Sequence, residues 1–176
     1  MRIDRATWLS AVAAIGAGLV VFPFLPGRWP SPLPEDGELQ PADLGELRDA
    51  AQRVDRACAD GDVAAFELAV TPAHRARLQR QLATVQRRLD AATLRDLGRD
   101  RTSSFAALLN REVLAAEVRG ERAAIAVDRS TGDGVQLLEF VWNGRRLQLD
   151  GSRQVAAVAN RASARALVQD AVAPRR

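Results

Sequence analysis

A chain of 176 residues with 47% hydrophobic and 27% charged side chains has the make-up of one globular domain with appendages, which excludes a disordered or low-complexity protein. All 25 basic residues are Arg and the net charge is +3; from Pro30 onward 22 Arg stand against 21 Asp and Glu, a net of +1. That balance argues against a nucleic-acid binder, which concentrates positive charge on one face. One Cys and one His exclude an internal disulfide and a His/Cys zinc cluster, so neither a metal nor a cofactor is expected.

Ala6 to Leu25 is a run of twenty residues without a charge. At helical rise it spans about 30 Å, the thickness of a hydrocarbon core. Arg2 and Arg5 precede it, and only Arg28 follows before an acidic stretch. The bias of basic residues keeps the N-terminus cytoplasmic. Trp8 and Trp29 suit the two interfaces, and Pro23 falls in the last turn. The bulky, proline-rich sequence after the run has no small-x-small cleavage site, so an uncleaved anchor over 1–28 is expected rather than a signal peptide. Residues 29–41 read as a Pro-rich, solvated linker. The expected address is the cell (inner) membrane, single-pass, with the following domain periplasmic or extracellular.

Leu44, Leu47, Ala51, Val54 and Cys58 recur at helical spacing and predict an amphipathic helix over 42–59, closed by Asp60-Gly61-Asp62. A short second helix over 63–70 carries Phe66. Thr71-Pro72 then supplies a cap and an N1 proline for a third helix reaching to about Asp90. Its stripe is Leu78, Leu82, Val85 and Leu89, and Arg77, Arg80, Arg87 and Arg88 lie on the opposite face. The stretch 94–110 admits a short helix or an extra strand. Strands are predicted over 112–119, 121–128, 135–142 and 145–150, with tight turns at Arg119-Gly120 and Asn143-Gly144. Three helices followed by an antiparallel sheet of about four strands is an α+β pattern over 42–152. Residues 153–176 read as an Ala- and Arg-rich, weakly helical tail.

Three segments carry a family resemblance. They are Ala59-Asp-Gly-Asp62 with Phe66, the strand-turn-strand Val118 to Val127, and the hairpin Leu138 to Leu149. The chain resembles the nuclear transport factor 2-like (cystatin-like α+β) superfamily, in particular short membrane-anchored bacterial members. The resemblance implies a curved antiparallel sheet around a long helix. It also implies that any chemistry would use a buried acid or base inside the resulting cone, as in ketosteroid isomerases.

Candidate site residues follow from residue type and position. Glu139 shares a sheet face with Leu137 and Val141, while Leu138, Phe140 and Trp142 take the other. It is either a base in a cone or an exposed acid paired with Arg146 or Arg122. His74, in the first turn of the third helix beside Arg75 and Arg77, is expected to be a solvated surface residue and is only a weak catalytic candidate. Asp128 at a strand end is a further weak one. Cys58 is expected to be buried and inert.

Charge is segregated along the chain. Residues 35–70 hold ten acids and three Arg, a net of −7, whereas 71–110 hold eight Arg and three acids, a net of +5. Arg77, Arg80, Arg87 and Arg88 could therefore face a protein partner or anionic lipid headgroups. The function expected is a non-enzymatic envelope protein whose extracytoplasmic domain binds a protein partner or small ligand. The alternatives are an accessory structural subunit of a secretion-like inner-membrane assembly, and a small isomerase or hydrolase.

Overall fold

The computed structural model describes residues 33–34, 36–39, 44–100, 104–128, 134–156, 158 and 160–174. The apolar run Ala6 to Leu25 and most of the Pro-rich linker lie outside them, as does most of the loop 129–134. Among the described residues no helix is long and apolar enough to cross a membrane.

The described chain is α+β. Strand β1 (Gly37–Glu38) precedes five helices: α1 (Leu44–Asp60), α2 (Val63–Ala69), α3 (Pro72–Thr84), α4 (Ala91–Asp100) and α5 (Phe105–Leu108). Strands β2 (Val113–Arg119), β3 (Arg122–Asp128), β4 (Val135–Trp142) and β5 (Leu147–Val155) follow, and helix α6 (Arg161–Val172) is the last described element. The sheet is an antiparallel meander in the order β1-β2-β3-β4-β5.

The predicted first helix forms because its stripe buries Leu44, Leu47, Ala50, Ala51, Val54, Ala57 and Cys58. Asp62 N–H returns to the Ala57 carbonyl and Gly61 N–H to that of Cys58, a closure that needs a left-handed residue at its turn. Gly61 supplies it at φ +69, and a Cβ there would stand 2.7 Å from the Ala91 carbonyl oxygen. The glycine thus ends α1 and lets α4 approach. Asp62 and Thr71 then cap α2 and α3, accepting from Ala65 N–H at 2.9 Å and His74 N–H at 3.1 Å.

The third helix stops at Thr84, short of the expected Asp90, because Gln86 turns left-handed at φ 56. Val85, expected in its core stripe, is 62% exposed. The ambiguous stretch 94–110 holds two helices. Asp90 starts α4 by accepting from Thr93 N–H at 2.8 Å, and that bond lowers its carboxyl pKa. Asp55 of α1 receives both Phe105 and Ala106 N–H at the start of α5. A side chain distant in sequence thereby completes a helix end.

Two further expectations change. The sheet has five strands, because Gly37–Glu38 in the linker pairs with Val118 and Glu117. The tail is structured: β5 runs on to Val155, and α6, capped by Asn160 through Ser163 N–H at 2.9 Å, packs on the sheet. Leu167 and Val168 stand among Ala162, Ala164, Ala166 and Ala171, small residues that leave the helix only a weak apolar stripe.

The sheet buries both faces. On one, Val118, Ile125, Leu138, Phe140, Trp142, Leu147 and Leu149 meet apolar residues of α1, α2, α4 and α5. On the other, Ala124, Ala126 and Leu137 meet Ala164, Val168, Ala171 and Val172 of α6. Cys58 is buried in the larger core, as expected. The outer edge of β5 is covered by the α2–α3 junction, where Val70 forms a parallel bridge with Leu149 and Thr71 N–H reaches the Leu149 carbonyl at 3.0 Å.

Candidate functional site

Among the described residues the α6 face of the sheet is only partly covered. Between α3 and the C-terminal end of α6, over β4 and β5, lies a cleft of about 640 Å³. Its α3 wall is His74, Arg77, Leu78 and Gln81, which share one face of that helix. Its floor is Glu139, Gly151, Ser152 and Arg153, and the far wall is Asp170, Ala171, Ala173 and Pro174.

A β-bulge makes the floor. Glu139 pairs with Gly151, but Phe140 pairs with Leu149, leaving Asp150 unmatched in the ladder. A bulge of this kind turns the extra side chain out of strict alternation. Asp150 is only 4% exposed and is the hub of a polar network. Its Oδ1 accepts from the Thr71 hydroxyl at 2.5 Å, and its Oδ2 from the Arg122 guanidinium at 3.2 Å. Its backbone carbonyl accepts from Arg77 Nη2, and its charge and carbonyl act on the His74 ring, raising its pKa. A buried carboxylate is stable only when paired and hydrogen-bonded; the Thr71 hydroxyl and Arg122 meet that need here, with Arg77 Nη2 4.0 Å from Oδ1.

Glu139 joins the same network. It is 7% exposed, so it is not the exposed acid expected on that face. Arg122 Nη2 stands 3.8 Å from Oε2 and Arg153 Nε 3.6 Å from Oε1. The expected partner Arg122 is present; Arg146 is not, because it sits in the hairpin loop, where its N–H donates to Asn143. Gly151 keeps the space above the carboxylate open: a Cβ there would meet Glu139 Cδ and Arg77 Nη2, each at 3.6 Å.

His74 is half-buried rather than solvated. Burial lowers its pKa, Arg77 lowers it further, and the Asp150 charge and carbonyl oppose both. With the downward causes larger, the imidazole is neutral at pH 7.

The structure thus brings together two of the three weak catalytic candidates, His74 and Glu139. Asp128 ends β3, where its N–H donates to the Glu112 carbonyl, and it does not line the cleft. The expected Arg face is divided: Arg77 turns to Asp150, Arg87 pairs with Asp96, and Arg80 and Arg88 are exposed. Asp150, Gly151, Arg153 and Asp170 were not anticipated. Asp150-Gly151 reads as a strand end, and nothing in a single sequence marks a bulge.

Among the described residues no group of His, Cys, Asp and Glu is placed to hold a metal ion. Cys58 is on the other side of the sheet. The Thr71 hydroxyl is committed to Asp150, and the Ser152 hydroxyl accepts from the Gln136 amide at 2.7 Å. What the cleft offers is charge recognition: two guanidinium groups, two carboxylates, a neutral imidazole and an amide around an open floor. Comparison with protein-family models, with curated proteins and with solved structures finds no match to this chain.

Proposed function

We propose that this is a non-enzymatic, membrane-anchored binding protein, held by Ala6 to Leu25 and taking a small ligand in the cleft between α3 and α6. The observation that carries the reading is the cleft itself. Pockets that bind small molecules enclose about 300–1,000 Å³ and present a few convergent polar groups. Here about 640 Å³ is bounded by charged side chains of α3, β4, β5 and α6. The apolar run and its flanking arginines support a position of the domain outside the cytoplasm. The same reading takes the domain as nuclear transport factor 2-like, supported by helices that precede an antiparallel meander and by the longest of them, α1, against the sheet. Helix α6 on the opposite face is an addition to the expected pattern.

The test is to incubate the purified full chain with a metabolite extract, reisolate it, and identify bound compounds by mass spectrometry. A compound recovered unchanged from the wild type and absent from Arg153→Glu supports the reading. A compound retained equally by both proteins removes the cleft from it. A C-terminal alkaline phosphatase fusion tests the address: enzyme activity on a full-length, membrane-bound product is expected, and an inactive fusion overturns the topology.

One observation favours a second reading, a small isomerase or hydrolase. A neutral His74 and the buried acid Glu139 line the same cleft, the pairing that proton transfer needs. Turnover of a bound compound that is lost on Glu139→Gln would establish it.

A further inference from the structure

The charges of the cleft are balanced and, apart from Glu139, which the floor holds between Arg122 and Arg153, spatially sorted. Its lining holds two guanidinium groups, Arg77 and Arg153, and two carboxylates, Glu139 and Asp170. The positive groups belong to α3 and the β5 floor. Both retain donors: Arg77 gives Nη2 to the Asp150 carbonyl, and Arg153 is half exposed, its Nε 3.6 Å from Glu139 and beyond hydrogen-bonding distance. The far wall is negative. Asp170 is exposed, pairs with no basic group among the described residues, and lies in the last turn of α6. That turn carries no basic residue, and the carbonyl groups at a helix C-terminus add partial negative charge.

Glu139 is matched by Arg122 and Arg153, at 3.8 and 3.6 Å, so a net anion in such a site would still meet Asp170 unmatched, and a net cation would meet Arg77 and Arg153. Either leaves a desolvated charge facing its own sign, which costs more than the matched contact returns. A ligand with one charge of each sign matches both walls. Building on the cleft reading above, we propose that the ligand is a small zwitterion of the amine–carboxylate type, an amino acid or a molecule of dipeptide size. Its carboxylate lies between Arg77 and Arg153 over the open floor at Gly151. Its ammonium group points to Asp170 and the end of α6. Leu78, Ala171, Ala173 and Pro174 give an aliphatic side chain its contact surface. No covalent step is involved.

The test uses the purified full chain in detergent. Its thermal stability and heat of binding are read with the L-amino acids, a dipeptide set, organic acids, polyamines and neutral sugars as probes. The expected result is a zwitterionic hit whose des-amino and decarboxylated analogues each bind at least about tenfold more weakly, since one charge-assisted hydrogen bond is worth roughly 1.5–3 kcal/mol. Arg153→Gln then weakens the zwitterion and the acid analogue but not the amine, and Asp170→Asn does the reverse. Both side chains are exposed or half exposed, so the variants keep the fold, checked by their unfolding midpoints.

A des-amino analogue that binds as tightly as the parent overturns the zwitterion. So does a hit of another class, such as a sugar or polyamine; if Arg153→Gln or Asp170→Asn weakens that hit, the cleft remains the binding site. Binding insensitive to both variants, or no binding across the panel, overturns the zwitterion and the cleft reading together.

Discussion

Leu137 and Leu138 are adjacent in β4 and both are fully buried, yet they belong to different cores. Leu138 faces α1 and its neighbouring helices, in a cluster that includes the largest buried side chains of the domain. Leu137 faces α6, in a small cluster built mostly from Ala and Val, and the polar cleft opens beside it. The helix-covered face is closed from every side and can be stable. The other face is half closed, because one helix covers part of it and a bulge with buried charges fills the rest. The contrast shows where function can be built. A protein interior packed to crystal density has no room for a ligand, whereas a face left under-covered must satisfy its polar groups and can then lend them to one.

The largest effect expected comes from the closed face. Leu138→Ala leaves a cavity that four helices prevent from collapsing, so the loss should approach the upper part of the ~2–5 kcal/mol range for such changes. Leu137→Ala removes the same atoms beside a cleft into which α6 can relax, and about 2–3 kcal/mol is expected. Urea unfolding of both variants checks the pair. Equal losses would show that the two cores are equally rigid and would remove the contrast.

Next in size is the network under the cleft. Asp150→Asn keeps the shape but removes the charge that receives Thr71 and Arg122. Loss of one charge-assisted bond to a buried group should cost about 2 kcal/mol, again read as a shift in the urea midpoint. A loss below a few tenths of a kilocalorie would mean that the hub is surface chemistry, and the comparison of faces would then rest on apolar packing alone.

A smaller effect tests how independently α6 is held. Asn160→Ala removes the acceptor for Ser163 N–H and should cost about 1 kcal/mol. Amide exchange should quicken in α6 and the cleft wall while α1 keeps its protection. Uniform acceleration across both helices would mean that the two faces open as one unit.

These contrasts also explain how much was legible beforehand. The α1 stripe and Gly61 closure and the Thr71-Pro72 start are local patterns that appear where the residues predict them; the Asn143-Gly144 hairpin also forms there, but over the four residues 143–146, so β5 begins at Leu147 instead of 145. Three features depend on distant partners and were invisible. Asp55 caps α5 from fifty residues away, Gly37–Glu38 becomes a strand only by meeting β2, and α6 owes its position to a patch of small residues on β3. The cleft was half legible. Alternation placed Glu139 on the correct face. However, the bulge at Asp150, which brings Arg77, His74 and Arg122 around one residue, is a property of strand pairing and not of any segment read alone.

The smallest effect, and the most specific to the half-open face, is the pH response of His74. Burial and Arg77 lower its pKa below the ordinary histidine value, against the pull of Asp150. Near pH 7 and above, the ring is neutral in both folded and unfolded chains and contributes no pH dependence. As pH falls below about 6.5, the unfolded chain takes up the proton first, so stability falls with decreasing pH until the folded ring also titrates. Wild type should therefore lose stability as the pH falls from neutral through the ordinary histidine pKa of about 6.5, and His74→Gln should lose less over that interval. Below it, the carboxylates dominate both proteins. Parallel curves for the two proteins would place the imidazole in solvent and detach His74 from the cleft. A flatter curve for the variant would tie the ring to the Asp150 carbonyl, making it a fixed part of the wall against which a ligand is held.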